Sequence, residues 1–138
     1  TRDPLTGLIN RRVLMKQLEH EQHMLEQQQQ PFSVMMVDLD RFKRINDNYG
    51  HQTGDAVLKM AANILSQNAR PMDTVARYGG EEFVVLMPGM DPEQAQGLLV
   101  RVQRELTREM WQGLRVKPIF ARKTKLMLVR PTTGWPQT

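Results

Sequence analysis

The chain contains no cysteine, so neither a disulfide nor a thiolate-bound metal can hold it together. That absence fits a reducing compartment, and with no secretory pattern at its start the expectation is a cytoplasmic domain. No apolar run approaches the roughly 20 residues needed to cross a bilayer. Acidic residues become scarce late in the chain. From Arg101 onward the net charge is +7, whereas the preceding residues carry −3, giving +4 overall. Basic surfaces that bind nucleic acid usually interleave aromatic platforms with the charges, and no such interleaving accompanies this segment, so it reads as a solvated face with no nucleic-acid partner. What remains is ordinary for a globular protein, with 40% hydrophobic and 25% charged residues. The 138 residues suit a single domain spanning 1–138.

The hydrophobic spacing predicts an α+β fold. Arg11 to Gln29 reads as a helix with Leu14, Leu18 and Leu25 near one face, closed by a short glutamine run and Pro31. Phe32 to Asp38 is an apolar run ending in carboxylates, as expected of a central strand covered on both faces. A short helix follows over Asp40 to Asn48, then a longer one over Asp55 to Ala69, with Asp55 placed to cap its first turn. Thr74 to Tyr78 and Phe83 to Met87 flank Gly79-Gly80, a pattern that predicts a hairpin with positive φ at its turn. Pro92 to Met110 restores helical spacing. Beyond Met110 the periodicity fails, apart from a short strand predicted at Leu126 to Val129. The elements together describe helices packed on a mostly antiparallel sheet. The ten methionines lie on predicted apolar faces and read as core filler.

Two clusters of residues carry chemistry. Asp38 and Asp40 end the central strand, where they either hold Mg²⁺ through carboxylate oxygens or, for Asp40, cap the next helix. Glu81 and Glu82 follow two glycines that let backbone approach a ligand, although a polar turn has the same composition. A neighbouring strand would place Glu81 beside Asp38.

Several segments, taken in order, resemble the GGDEF domain of diguanylate cyclases in its GGEEF form. They are Asp3-Pro4-Leu5-Thr6-Gly7-Leu8 with Asn10-Arg11-Arg12, Asp38-Leu39-Asp40-Arg41-Phe42-Lys43, Ile45-Asn46-Asp47, Gly50-His51 with Gly54-Asp55, and Arg77-Tyr78-Gly79-Gly80-Glu81-Glu82-Phe83. The resemblance covers about Asp3 to Met110. It implies a palm-like fold and an enzyme that condenses two GTP, one on each of two facing domains, into cyclic di-GMP and pyrophosphate. It further implies Mg²⁺ or Mn²⁺ held by Asp38, Glu81 and the Leu39 carbonyl, with Glu81 as the candidate base. Lys43 would meet phosphate charge, though a lysine there is also an ordinary helix-surface residue. Asn46 and Asp55 would read guanine, with Phe42, Arg77, Gly79 and Gly80 as further substrate contacts. Arg70 and Asp73 match an RxxD motif that binds cyclic di-GMP at an inhibitory site. His51 reads as a turn-packing residue. A homodimer and an upstream sensory domain complete the implied assembly.

The tail departs from the family. The apolar strand of Ser-Ile-Gly-Val type and the later Lys and Arg that grip the terminal phosphate are missing from Trp111 to Thr138, a stretch with six Lys/Arg and no acidic residue. Arg115, Lys117, Lys123 and Lys125 are the basic residues available to substitute. Two alternatives therefore stand beside the cyclase: a noncatalytic GTP or cyclic di-GMP binding module, and an inactive truncated or frame-shifted cyclase. A one-nucleotide shift allows Met127 to Arg130 to encode Leu-Tyr and makes Trp135-Pro136 encode glycine. Under that reading one edge of the sheet is left unpaired.

Overall fold

The computed structural model describes residues 1–39, 41–117 and 125–129, the last group as backbone. Asp40, Lys123 and the Trp135-Pro136 pair of the frame-shift reading lie outside the described residues. A five-stranded sheet has the order β1-β3-β4-β2-β5, with β1 Ile9–Asn10, β2 Phe32–Asp38, β3 Thr74–Arg77, β4 Glu82–Pro88 and β5 Lys125–Val129. The β1–β3 pairing is parallel, and the other three are antiparallel. The helices are α1 Arg11–Gln28, α2 Phe42–Tyr49, α3 His51–Asn68 and α4 Pro92–Arg108, and a π-helical turn over Glu109–Gly113 extends α4.

The central strands are apolar on both sides because both sides are covered. Val34 and Phe32 of β2, with Val84 and Leu86 of β4, pack against Leu14 and Leu18 of α1. Met35, Val37 and Leu39, with Phe83, Val85 and Met87, meet Leu58, Ala61 and Leu65 of α3 and Leu98, Val102 and Leu106 of α4. Each fully buried large side chain contributes about 1.5–3 kcal/mol, so this second and larger core dominates stability. The Asn10 side chain accepts from the Val13 N–H to start α1, and Asp91 does the same for α4 through the Gln94 N–H.

Four expectations need correction. Helix α3 begins at His51 rather than Asp55, so Asp55 falls in its second turn, exposed, and caps nothing. Gly54 concealed the true start, because glycine inside a helix weakens the helical signal. His51 is exposed as the first residue of α3 and does not pack a turn. Helix α2 begins at Phe42 after Arg41, whose φ is 61° and whose side chain makes no capping hydrogen bond. Finally, the β2 edge is paired: β5 lies antiparallel beside β2 from Val34↔Val129 to Asp38↔Lys125. The β-competent run Leu126-Met127-Leu128-Val129 is sufficient to complete the ladder that the altered tail was expected to leave open.

Candidate nucleotide and metal site

Register assembles the carboxylates. Asp38 is the Cα partner of Glu82 across β2 and β4, and directly opposed residues on antiparallel strands share a face. Counting in steps of two from Val34 and from Leu86 puts both on the side covered by α1. Glu81 lies one residue earlier, in the turn, where its carbonyl accepts the Leu39 N–H at 3.0 Å. The sheet end therefore gathers Asp38, Glu81 and Glu82, all partly exposed. Reasoning from the sequence passed over Glu82 as the partner of Asp38, although its phase with Val84 and Leu86 was available to find it. Lys125 is the basic residue of the tail that the β2–β5 register brings beside Asp38.

The hairpin tip is built differently from the expectation. Neither Gly79 nor Gly80 adopts positive φ, which among the described glycines occurs at Gly7, Gly50 and Gly89. The turn is closed by Tyr78 and Gly79 N–H groups donating to the Glu82 carbonyl at 2.8 and 3.2 Å. Gly79 is needed for space: a Cβ there would collide with the Glu82 carboxylate, which folds back over it.

Arg77 binds this tip to the beginning of the chain. Its Nη2 donates to the Gly80 carbonyl at 2.7 Å, and its Nη1 donates to Asp3 Oδ1 at 3.0 Å and Oδ2 at 3.1 Å. Asp3 in turn accepts the Thr6 amide at 2.8 Å and the Thr6 hydroxyl at 2.7 Å. Partial burial pushes the Asp3 carboxyl upward. Hydrogen bonds from Thr6 and the Arg77 guanidinium together outweigh that effect and hold it below the ordinary carboxylate range. A depressed folded-state pKa gives stabilisation that is complete above the unfolded value of about 3.9 and lost as pH falls through the folded one. The Thr6 amide resonance is accordingly expected to titrate below about pH 3.9. Asp3→Asn should remove that titration and cost about 1 kcal/mol at neutral pH. A Thr6 amide that titrates unchanged in Asp3→Asn would show the linkage to be wrong.

The second half of the site is the crossing of α2 and α3. Gly50, with φ 94°, is both the last cap of α2 and the first of α3, so the two helices meet at one residue. Gly54 is buried where they cross: a Cβ there would overlap Asn46 Oδ1 and sit 3.2 Å from Phe42 Cζ. Asn46 is thus pressed onto α3 at Gly54, the residue before Asp55, while Phe42 packs into the larger core and Lys43 stays exposed. The structure places Asn46 and Asp55 on adjoining helices, and Phe42 in a packing position.

Arg70 and Asp73 bond to one another. Arg70 Nη2 donates to Asp73 Oδ1 at 2.8 Å and to the Pro88 carbonyl at 2.6 Å, and the Asp73 side chain has 0% exposure. With Val13 and Gln17 of α1 they line a cleft of about 360 Å³. This cleft is separate from the carboxylates, on the far side of β3 from β4.

An α+β domain with carboxylates gathered at the sheet end and an asparagine-bearing helix crossing beside them has the form of a palm-like nucleotide-binding domain. The chain belongs to the GGDEF family: the model described as "Diguanylate cyclase, GGDEF domain" matches residues 1–112. The probable diguanylate cyclase DgcT of Escherichia coli is 41% identical over 107 residues, covering 78% of this chain and 23% of that protein. The diguanylate cyclase DgcP of Pseudomonas aeruginosa is 46% identical over 101 residues, covering 73% and 15%. The chain therefore spans under a quarter of the length of these relatives. The crystal structure of the GGDEF domain of DgcB from Caulobacter crescentus, in complex with c-di-GMP, matches with a TM-score of 0.77 at 29% identity, covering 94% of this chain and 74% of that one. Among the described residues no helix is long and apolar enough to cross a membrane.

Proposed function

We propose that this domain condenses two molecules of GTP into cyclic di-GMP, releasing two pyrophosphates. The observation that carries the reading is the meeting of Asp38, Glu81 and Glu82 at one sheet end through the β2–β4 register. Among the described residues no three acidic or histidine side chains form a cation cluster by themselves. Two or three carboxylates suit Mg²⁺ when a nucleotide's phosphates complete the shell, so the donor set fits a metal carried in with GTP. Asp38, Glu81 and the Leu39 carbonyl would hold Mg²⁺ or Mn²⁺, which when bound neutralises the triphosphate and acidifies the ribose 3′-hydroxyl.

The chain's own residues supply the rest. Asn46 can accept from guanine N–H groups and donate to O6, and the Asp55 carboxylate can take both N–H groups of that edge. Adenine presents the opposite pattern and leaves those groups unpaired, which supports GTP as the substrate. Lys43 faces the phosphates with a point charge. Glu81 takes the 3′-hydroxyl proton as the oxygen bonds to the α-phosphorus of the other nucleotide and the bond to pyrophosphate breaks. Each domain does this once, which requires two copies facing one another. Arg77 supports the tip through Gly80, and Gly79 lets Glu82 fold close. Product binding at Arg70 and Asp73 would use the guanidinium, since the Asp73 carboxylate is already covered by its arginine. An upstream sensory domain is consistent with the greater length of the relatives.

Incubating the purified chain with GTP and Mg²⁺ and identifying products by chromatography tests the reading. Cyclic di-GMP and pyrophosphate in equal-turnover proportion, two pyrophosphates per product, are expected. Binding of cyclic di-GMP without turnover would make the domain a binding module, and failure to bind either nucleotide would remove the reading.

A further inference from the structure

Arg11, the first residue of α1, has no part in the roles above. Its guanidinium carbon lies 4.4 Å from the centroid of the Tyr78 ring. Tyr78 is 8% exposed and packs in the core beneath α1. Its N–H donates to the Glu82 carbonyl, so the α1 face of the sheet end reads Tyr78, Glu82, Asp38 across three neighbouring strands. Arg11 therefore stands at the edge of the row that carries the carboxylates.

Three other arginines already donate to protein acceptors. Arg77 holds Asp3 and Gly80, Arg70 holds Asp73 and Pro88, and Arg2 donates to the Gly7 carbonyl. Among the described residues, Arg11 has a ring contact and no hydrogen bond or carboxylate partner. With its carbon over the ring, the guanidinium keeps a planar fork of N–H donors that the ring contact does not use. The stack also restrains a long side chain in advance, so less rotamer freedom is lost when the fork takes a ligand. That geometry matches the paired oxygens of a phosphoryl group. The adjacent carboxylates would repel a bare anion, so the matching ligand is a polyphosphate that brings a divalent cation with it.

We propose that Arg11 binds phosphoryl oxygens of the metal-complexed nucleotide, with Tyr78 as the platform that aims it. This rests on the nucleotide reading above and adds a residue to it. Calorimetric titration of the parent, Arg11→Ala and Arg11→Lys with GTP, guanosine and pyrophosphate, all in Mg²⁺ buffer, tests the assignment. Arg11→Ala is expected to weaken GTP and pyrophosphate about tenfold and to leave guanosine unchanged, with Arg11→Lys in between. Tyr78→Leu, which keeps the guanidinium and removes the platform, should produce a smaller loss of the same kind. Pyrophosphate and GTP bound equally by the parent and Arg11→Ala would overturn the proposal, as would loss of guanosine along with them. Retained guanosine binding with no effect of Arg11→Ala sinks the arginine alone. Arg11-dependent pyrophosphate binding without any guanosine binding keeps the arginine and sinks the nucleotide reading, and binding of no ligand at all sinks both.

Discussion

Glu81→Gln and Asp38→Asn should each lower Mg²⁺-dependent GTP turnover by roughly a thousandfold, about 4 kcal/mol of transition-state stabilisation. Each removes one of the few anionic ligands available, and two carboxylates alone hold Mg²⁺ weakly, so the loss of either leaves too little charge to keep a metal with the triphosphate. Guanosine binding should persist in both, because Asn46 and Asp55 belong to different elements. Glu82→Gln is the informative third variant. Register makes Glu82 the direct partner of Asp38, whereas family resemblance gives the role to Glu81 in the turn. An inactive Glu82→Gln beside a fully active Glu81→Gln would transfer the assignment to the register partner.

The other large effect is expected from a single methyl group. Gly54→Ala would place its Cβ on the Asn46 amide oxygen and within 3.2 Å of Phe42 Cζ, so α2 must lift from α3 or Asn46 must turn away. Overpacking of this kind costs about 1–3 kcal/mol. The displaced amide should weaken GTP and guanosine together by about tenfold or more, unlike Arg11→Ala, which spares guanosine. Pairing Gly54→Ala with Asn46→Ala should recover stability without recovering affinity, a coupling that a double-mutant cycle measures. Parent-like guanosine affinity in Gly54→Ala would show that the close helix crossing has no bearing on base recognition.

Elements whose pattern is self-contained were legible from sequence. The apolar run Phe32 to Asp38 declared a strand buried on both sides, and Leu98, Val102 and Leu106 declared the buried stripe of α4. The two-residue β1 was not legible, since its identity consists of pairing with Ala76 and Arg77 of a strand far along the chain. The start of α3 was hidden by the glycine that its contact with Asn46 requires. Here a local propensity and a tertiary need conflict, and the tertiary need prevails. The π-helical turn after Arg108 gave no sequence signal, because it differs from α only in its hydrogen-bond step. In the site, residue types and motif order pointed to Asp38, Glu81, Asn46 and Asp55 as candidates. Which carboxylate faces which, and that Arg77 is engaged by Asp3, depends on register and on contacts between distant segments.

The bond between Asp3 and Arg77 shortens the molecule in a mechanical sense. Along the backbone these residues are 74 positions apart, yet one guanidinium spans from the carboxylate of the first turn to the carbonyl of Gly80. A twist of the Asp3–Thr6 turn thus reaches the hairpin tip without passing through either core. The strut is made of hydrogen bonds in a partly exposed setting, each of modest net worth, whereas the sheet behind it is held by its own ladders.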